Sequence, residues 1–130
     1  MGITGVNHIT INMKDIEKTL WFYTDLLQLE KLNTVNMGDH EITYLTLPGA
    51  VRLELIHYYN QNKNISPLVT DGGILRHIAF YINDIEKLYQ LFLQNGIEIT
   101  LPVTYAEKLN CTIMLVKDPN GIELEFVQRQ

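Results

Sequence analysis

Two histidines and two glutamates recur in this chain at matched positions, and together they could hold a divalent cation. His8 stands in Asn7-His8-Ile9-Thr10-Ile11, which runs into Asp15-Ile16-Glu17-Lys18. At a constant offset of 69, His77 stands in Arg76-His77-Ile78-Ala79-Phe80, which runs into Asp84-Ile85-Glu86-Lys87. A second ungapped match, at an offset of 71, lays Pro48-Gly49-Ala50-Val51-Arg52-Leu53-Glu54-Leu55-Ile56 over Pro119-Asn120-Gly121-Ile122-Glu123-Leu124-Glu125-Phe126-Val127, so that Glu54 falls on Glu125. Self-similarity at a fixed period marks a duplicated structural unit. Each copy opens with a His and closes with a Glu. Two neutral imidazoles and two carboxylates suit Ni, Co, Zn, Mn or Fe in octahedral coordination, with two positions left for a chelating substrate. The two carboxylates nominally cancel the charge of the ion, whereas the two-His, one-carboxylate set of ferrous oxygenases leaves a net positive charge. The four-residue set therefore points to Lewis-acid chemistry, in which a carboxylate takes a proton beside a polarised carbonyl. Isomerase, epimerase and lyase steps fit.

The elements that must position these residues follow from hydrophobic period. Residues 5–12 alternate as a half-buried strand, with Ile9 and Ile11 on one face and His8, Thr10 and Asn12 on the other. From Asp15, an N-cap, the residues Ile16, Leu20, Tyr23 and Leu27 recur at helical spacing, with Trp21 and Phe22 widening the stripe. Strands are expected at 32–36, 41–47 and 51–58, separated by Gly38-Asp39 and Pro48-Gly49 turns. The last of them puts Arg52 and Glu54 on one face and Leu53, Leu55 and His57 on the other. Residues 59–74 are polar, carry Pro67 and Gly72-Gly73, and read as a linker. The second half repeats the plan with a strand at 75–82, a helix at 84–95 stopped by Gly96, and strands near 97–100, 112–117 and 122–128. The expected fold is α+β: two tandem βαβββ modules, about 5–58 and 75–128, in a single domain whose curved mixed sheet surrounds a metal-binding trough. If the first and last strands of a module are neighbours, His8 meets Glu54 and His77 meets Glu125.

A chain of 130 residues with formal charge −5 and its ten basic residues scattered shows no electrostatic footprint for nucleic acid or an anionic membrane. One cysteine, Cys111, precludes an intrachain disulfide, and no long apolar run marks a membrane span. A cytoplasmic location is expected. Several polar residues read as structural. His40 lies by a turn, and His57 falls on the helix side of its strand. Glu123 reads as a solvated strand residue and Cys111 as a small buried one. Residues 105–110 form a flap or a plain loop.

These residues resemble the vicinal oxygen chelate superfamily of glyoxalases, bleomycin resistance proteins and dioxygenases. The marks are His8 opening the first strand, Phe22-Tyr23 in the first helix, Leu53-Glu54-Leu55, His77-Ile78-Ala79, and Asp118-Pro119-Asn120-Gly121 leading to Glu125. Within the superfamily the His, Glu, His, Glu set looks most like glyoxalase I. That resemblance implies a metal held by His8, Glu54, His77 and Glu125, with Glu125 moving a proton through a metal-bound enediolate of a hemithioacetal. Glutathione carries two carboxylates that call for cationic partners, and Arg52, on the face of Glu54, is the candidate substrate residue. Leu55-Ile56-His57 and the stretch from Ile65 to Gly73 look instead like epimerases. The resemblance also leaves open a methylmalonyl-CoA-epimerase-like enzyme, an extradiol-type dioxygenase, or a non-catalytic drug-binding dimer. It implies a small-molecule partner, either a thiol adduct or an acyl-CoA, and a homodimer.

Overall fold

The computed structural model describes residues 1–60 and 75–130, which fall into two compact units, Met1–Ser66 and Pro67–Gln130. The first unit runs β1 (His8–Asn12), α1 (Ile16–Leu20) continuing into a π-helical stretch (Trp21–Leu26), β2 (Lys31–Asn36), β3 (His40–Leu47) and β4 (Val51–Tyr58). The second runs β5 (Ile78–Tyr81), α2 (Ile85–Gln94), β6 (Ile99–Ala106), one 3-10 turn (Glu107–Leu109), β7 (Cys111–Lys117) and β8 (Glu123–Arg129). Both are α+β units of the expected βαβββ plan. Of the expected linker, residues 61–74 lie outside the described residues.

The strand order is β1-β4-β3-β2 in one sheet and β5-β8-β7-β6 in the other. In each, the first strand pairs parallel with the last and the remaining pairs are antiparallel. A parallel pair needs a long crossover, which here contains the helix and the other two strands. The same device starts both helices. Asp15 Oδ1 accepts the Lys18 amide at 3.0 Å, and Asp84 Oδ1 accepts the Lys87 amide at 3.0 Å. Each cap satisfies one of the amides that a helix N-terminus leaves without an internal partner. Gly96 follows α2 at φ 68°, the left-handed conformation that ends a helix at little cost to glycine.

Alternation decides which face is core. Leu45, Leu53 and Leu55 are fully buried in the first unit, as are Met114, Val116 and Leu124 in the second. The rings of Phe92 on α2 and Phe126 on β8 meet at 5.5 Å, so α2 covers the Phe126 face of its sheet and leaves the Glu125 face clear of it. Burying two such rings against each other contributes about 0.5–1.5 kcal/mol beyond their area.

Three local features depart from expectation. The Leu27 amide bonds to the Phe22 carbonyl at 3.0 Å, five residues back, and this wider turn shifts the phase of the helix. As a result Phe22, Tyr23 and Leu26 are buried while Leu27 is only half-buried. The expected strand near 97–100 instead spans Ile99–Ala106. It is an edge strand, where the missing N–H of Pro102 breaks no obligatory pairing. The residues expected as a flap are therefore a strand end and a tight turn. Asn110 is left-handed at φ 51°, and its Oδ1 accepts from the Tyr105 hydroxyl at 2.8 Å.

Candidate metal centre

In the first unit the parallel register sets Thr10 beside Glu54 and His8 beside Arg52. His8 Nδ1 lies 3.3 Å from Glu54 Oε2 and 2.7 Å from Asn7 Oδ1, and the Thr10 hydroxyl donates to Glu54 Oε1 at 3.4 Å. The Asn7 amide oxygen can only accept, so it fixes the neutral imidazole with hydrogen on Nδ1 and a lone pair on Nε2. Ligation through Nε2 needs that tautomer. Glu54 is buried between the fully buried Leu53 and Leu55, while the His8 side chain stays 40% exposed. A buried carboxylate is stable only when paired, and here its partners are one imidazole and one hydroxyl.

In the second unit His77 Nε2 lies 2.6 Å from Glu125 Oε2. Its Nδ1 is 3.4 Å from Glu123 Oε1, is sealed from solvent and makes no hydrogen bond. Glu123 is itself buried and forms an ion pair with the Arg76 guanidinium. This overturns the expectation that Glu123 is solvated. Glu123 and Glu125 share a face by strand alternation, and Arg76 comes in from the irregular stretch ahead of β5 to pair with the first of them. A second carboxylate two residues before Glu125 was the available signal. Its cationic partner lies outside any strand, where alternation gives no direction.

The structure thus joins His8 with Glu54 and His77 with Glu125, one pair per unit, as the first-to-last strand pairing requires. No further described residue of the same unit completes a larger metal-binding group. Two neighbouring ligands of an octahedral ion, each bound at about 2.1 Å, sit about 3 Å apart. The 2.6 Å between His77 Nε2 and Glu125 Oε2 is near that spacing, whereas the 3.3 Å of the first pair is measured from His8 Nδ1, the other ring nitrogen. The His77 Nδ1 that lacks a partner suits the same role, since a ligating ring directs its second nitrogen at an acceptor.

Arg52 lies on the same face as Glu54, with its guanidinium 4.5 Å from the Tyr44 ring centroid. Tyr44 is directly opposite Glu54 in the β3–β4 register. The ring braces the arginine while leaving its fork of donors free for a carboxylate. His57 packs edge-on against Tyr59 at 5.7 Å, and the ring of His40 lies 5.2 Å from that of Tyr58 while its Nδ1 meets Asp39, in keeping with structural roles for both histidines. Cys111 is a half-buried free thiol rather than a fully buried one. The Asp118-Pro119-Asn120-Gly121 motif builds the β7–β8 turn. Asp118 Oδ1 accepts from the amides of Asn120 and Ile122, both at 2.8 Å, and Gly121 takes φ 87°. Among the described residues no helix is long and apolar enough to cross a membrane.

Comparisons with known proteins identify the family and the fold. The model of the Glyoxalase/Bleomycin resistance protein/Dioxygenase superfamily matches residues 5–126. Lactoylglutathione lyase of Haemophilus influenzae is 23% identical over 128 residues, covering 95% of this chain and 91% of that protein. Metallothiol transferase FosB of Staphylococcus epidermidis is 30% identical over 130 residues, covering 97% and 82%. Among solved structures, the superfamily domain from Frankia sp. EAN1pec has a TM-score of 0.81 at 19% identity, covering 99% of this chain and 100% of that one. A match that begins before His8 and ends after Glu125 takes in both pairs, and the chain belongs to the Glyoxalase/Bleomycin resistance protein/Dioxygenase superfamily.

Proposed function

We propose that this chain is a metal-dependent lyase or isomerase of the glyoxalase I type. His8 and Glu54 from one unit and His77 and Glu125 from the other would hold a divalent ion, Ni, Co, Zn, Mn or Fe. The observation that carries this reading is the repeated His–Glu pair, with nitrogen and oxygen 3.3 Å apart in one unit and 2.6 Å in the other. A bound ion adds Lewis acidity, which makes a hydrogen beside a carbonyl easier to remove. The rest of the chemistry falls to the protein. Glu125 takes the proton from the sulfur-bearing carbon of a hemithioacetal and returns it to the neighbouring carbon. The hydroxyl proton passes to the former ketone oxygen, so the product is a hydroxy thioester and no oxidant or reductant is consumed. Of the two carboxylates, Glu125 is the better base, because Glu54 also accepts from Thr10 whereas Ala79 stands at that place beside Glu125. Arg52, braced on Tyr44, would take an anionic group of the substrate.

Methylglyoxal offered with a panel of small thiols to the Ni-, Co- or Zn-loaded protein tests the reading. Thioester formation is the expected result, and its absence with every thiol and every ion sinks it. The relationship to a metallothiol transferase favours a second reading, in which the same site adds a thiol to an electrophile. A stable thioether without thioester in the same assay would select it. The protein is also expected to be a homodimer; a monomeric mass at micromolar concentration by light scattering would contradict that.

A further inference from the structure

The buried edge of His77 poses a problem in proton placement. Nε2 lies 2.6 Å from Glu125 Oε2, a contact that needs a hydrogen between the two atoms. With the single hydrogen of a neutral imidazole placed there, Nδ1 turns a bare lone pair toward Glu123 Oε1 at 3.4 Å. At that distance Nδ1 makes no hydrogen bond and is closed off from solvent. Glu123 does not swing away, because it is buried and bonded to Arg76. If Nε2 instead gives its lone pair to a cation, the single hydrogen must move to Nδ1. The atom that had no partner then becomes a donor with a fixed carboxylate beside it.

We propose that Arg76 and Glu123 form a positioning couple for His77: Glu123 accepts the Nδ1 hydrogen that appears when Nε2 takes a divalent cation, and Arg76 holds that carboxylate in place. The inference rests on the reading of His77 as a metal ligand. Independent support comes from the first unit, where His8 Nδ1 already meets an oxygen acceptor, Asn7 Oδ1, at 2.7 Å. Asn7 occupies the position of Arg76, and Arg52 that of Glu123, in the two sequence matches. Each unit thus offers its histidine an oxygen at Nδ1. One takes an amide from the residue before the His; the other takes a carboxylate from the last strand and adds an arginine to anchor it. Arg76 and Glu123 would therefore set the tautomer and orientation of a ligand without touching the ion.

The test measures zinc and nickel affinity by calorimetry on the full chain, comparing wild type with Glu123→Met and Glu123→Gln. Loss of an acceptor behind a ligating histidine costs about 10–100-fold in affinity, and that loss is expected for Glu123→Met. Glu123→Gln keeps an acceptor oxygen of the same reach and should retain most of the affinity. Unchanged affinity in Glu123→Met, or equal losses in both variants with the circular dichroism unaltered, would overturn the proposal. Nitrogen NMR of wild-type protein loaded with diamagnetic zinc gives a second measurement that does not depend on how the variants fold. Hydrogen on Nδ1 of His77 is expected in the zinc form and on Nε2 in the metal-free form. Hydrogen on Nε2 in the zinc form would also overturn it. A wild-type protein that takes up neither ion removes the metal reading and this inference together, whereas a wild type that binds beside a variant that binds equally well removes this inference alone.

Discussion

In the first unit Glu54 is held twice, by His8 at one oxygen and by the Thr10 hydroxyl at the other. In the second, Ala79 takes the place of Thr10, and among the described contacts Glu125 meets His77 alone. The surroundings of the two histidines differ in charge as well: Asn7 and Arg52 flank one pair, Arg76 and Glu123 the other. The folds are the same in plan, so these differences reflect residue choice at matched positions. A carboxylate held by two donors is suited to staying on an ion. One with a single partner is free to leave and return, as proton transfer requires. The two pairs share one plan, but one carboxylate has two partners and the other has one among the described contacts.

Exchanging the two roles is the most damaging way to break this comparison. Glu125→Gln at saturating metal should lower kcat by about 10²–10⁴-fold, the usual contribution of a general base, whereas Glu54→Gln should act first on metal affinity. If Glu54→Gln proves the one that stops turnover in fully loaded protein, the roles are reversed. The next largest effect concerns the turns ahead of the two glutamates. Asp118→Ala removes a buried acceptor from the Asn120 and Ile122 amides and should destabilise the protein by about 2–4 kcal/mol in a urea melt. Asp118→Asn, which still has an accepting oxygen, should cost visibly less. A smaller change sharpens the contrast between the carboxylates directly. Ala79→Thr would give Glu125 the hydroxyl that Glu54 has, and one hydrogen bond to a carboxylate, about 1.5 kcal/mol, predicts a kcat reduced by about tenfold. An unaltered kcat would show that a second donor is not what separates them. Smallest of all, Ala50 sits in the first unit's turn at φ 61°, beside Gly49 at φ 86°. Ala50→Gly should raise stability by about 0.5–1 kcal/mol through relief of left-handed strain, partly offset by the greater freedom of glycine in the unfolded chain. A lower midpoint would show that the strain argument fails there.

Much of this architecture was legible because alternation and repetition reinforce each other. The period of two put His8, Glu54 and Glu125 on faces away from Leu53, Leu55, Leu124 and Phe126, and those four apolar residues are buried, although Glu54 is buried as well. The matched offsets implied that first and last strands meet, and both parallel ladders bear this out. Long-range partners of charged side chains were not legible. Arg76 and Glu123 are 47 positions apart, and nothing local distinguishes a buried glutamate with an arginine waiting for it from one in water. The π-helical stretch was hidden for a different reason: Trp21-Phe22-Tyr23 is apolar enough to satisfy either a narrow or a wide turn. In β6, Pro102 reads as a strand stop unless the strand is already known to lie at an edge.

Pairing the first strand of a unit with its last also fixes when the histidine and the glutamate can meet as the chain is made. Among the described residues β1 has only β4 beside it, and Thr10 and Glu54 are 44 positions apart. Bringing such distant segments together costs loop-closure entropy that no local contact repays early. A ribosome-bound fragment that stops short of β4 therefore presents His8 without Glu54. The first pair can close while the second unit is still being translated, but His77 must wait for β8 at the far end of the second. The second pair is in this way deferred until β8 has been made, well after the first can close.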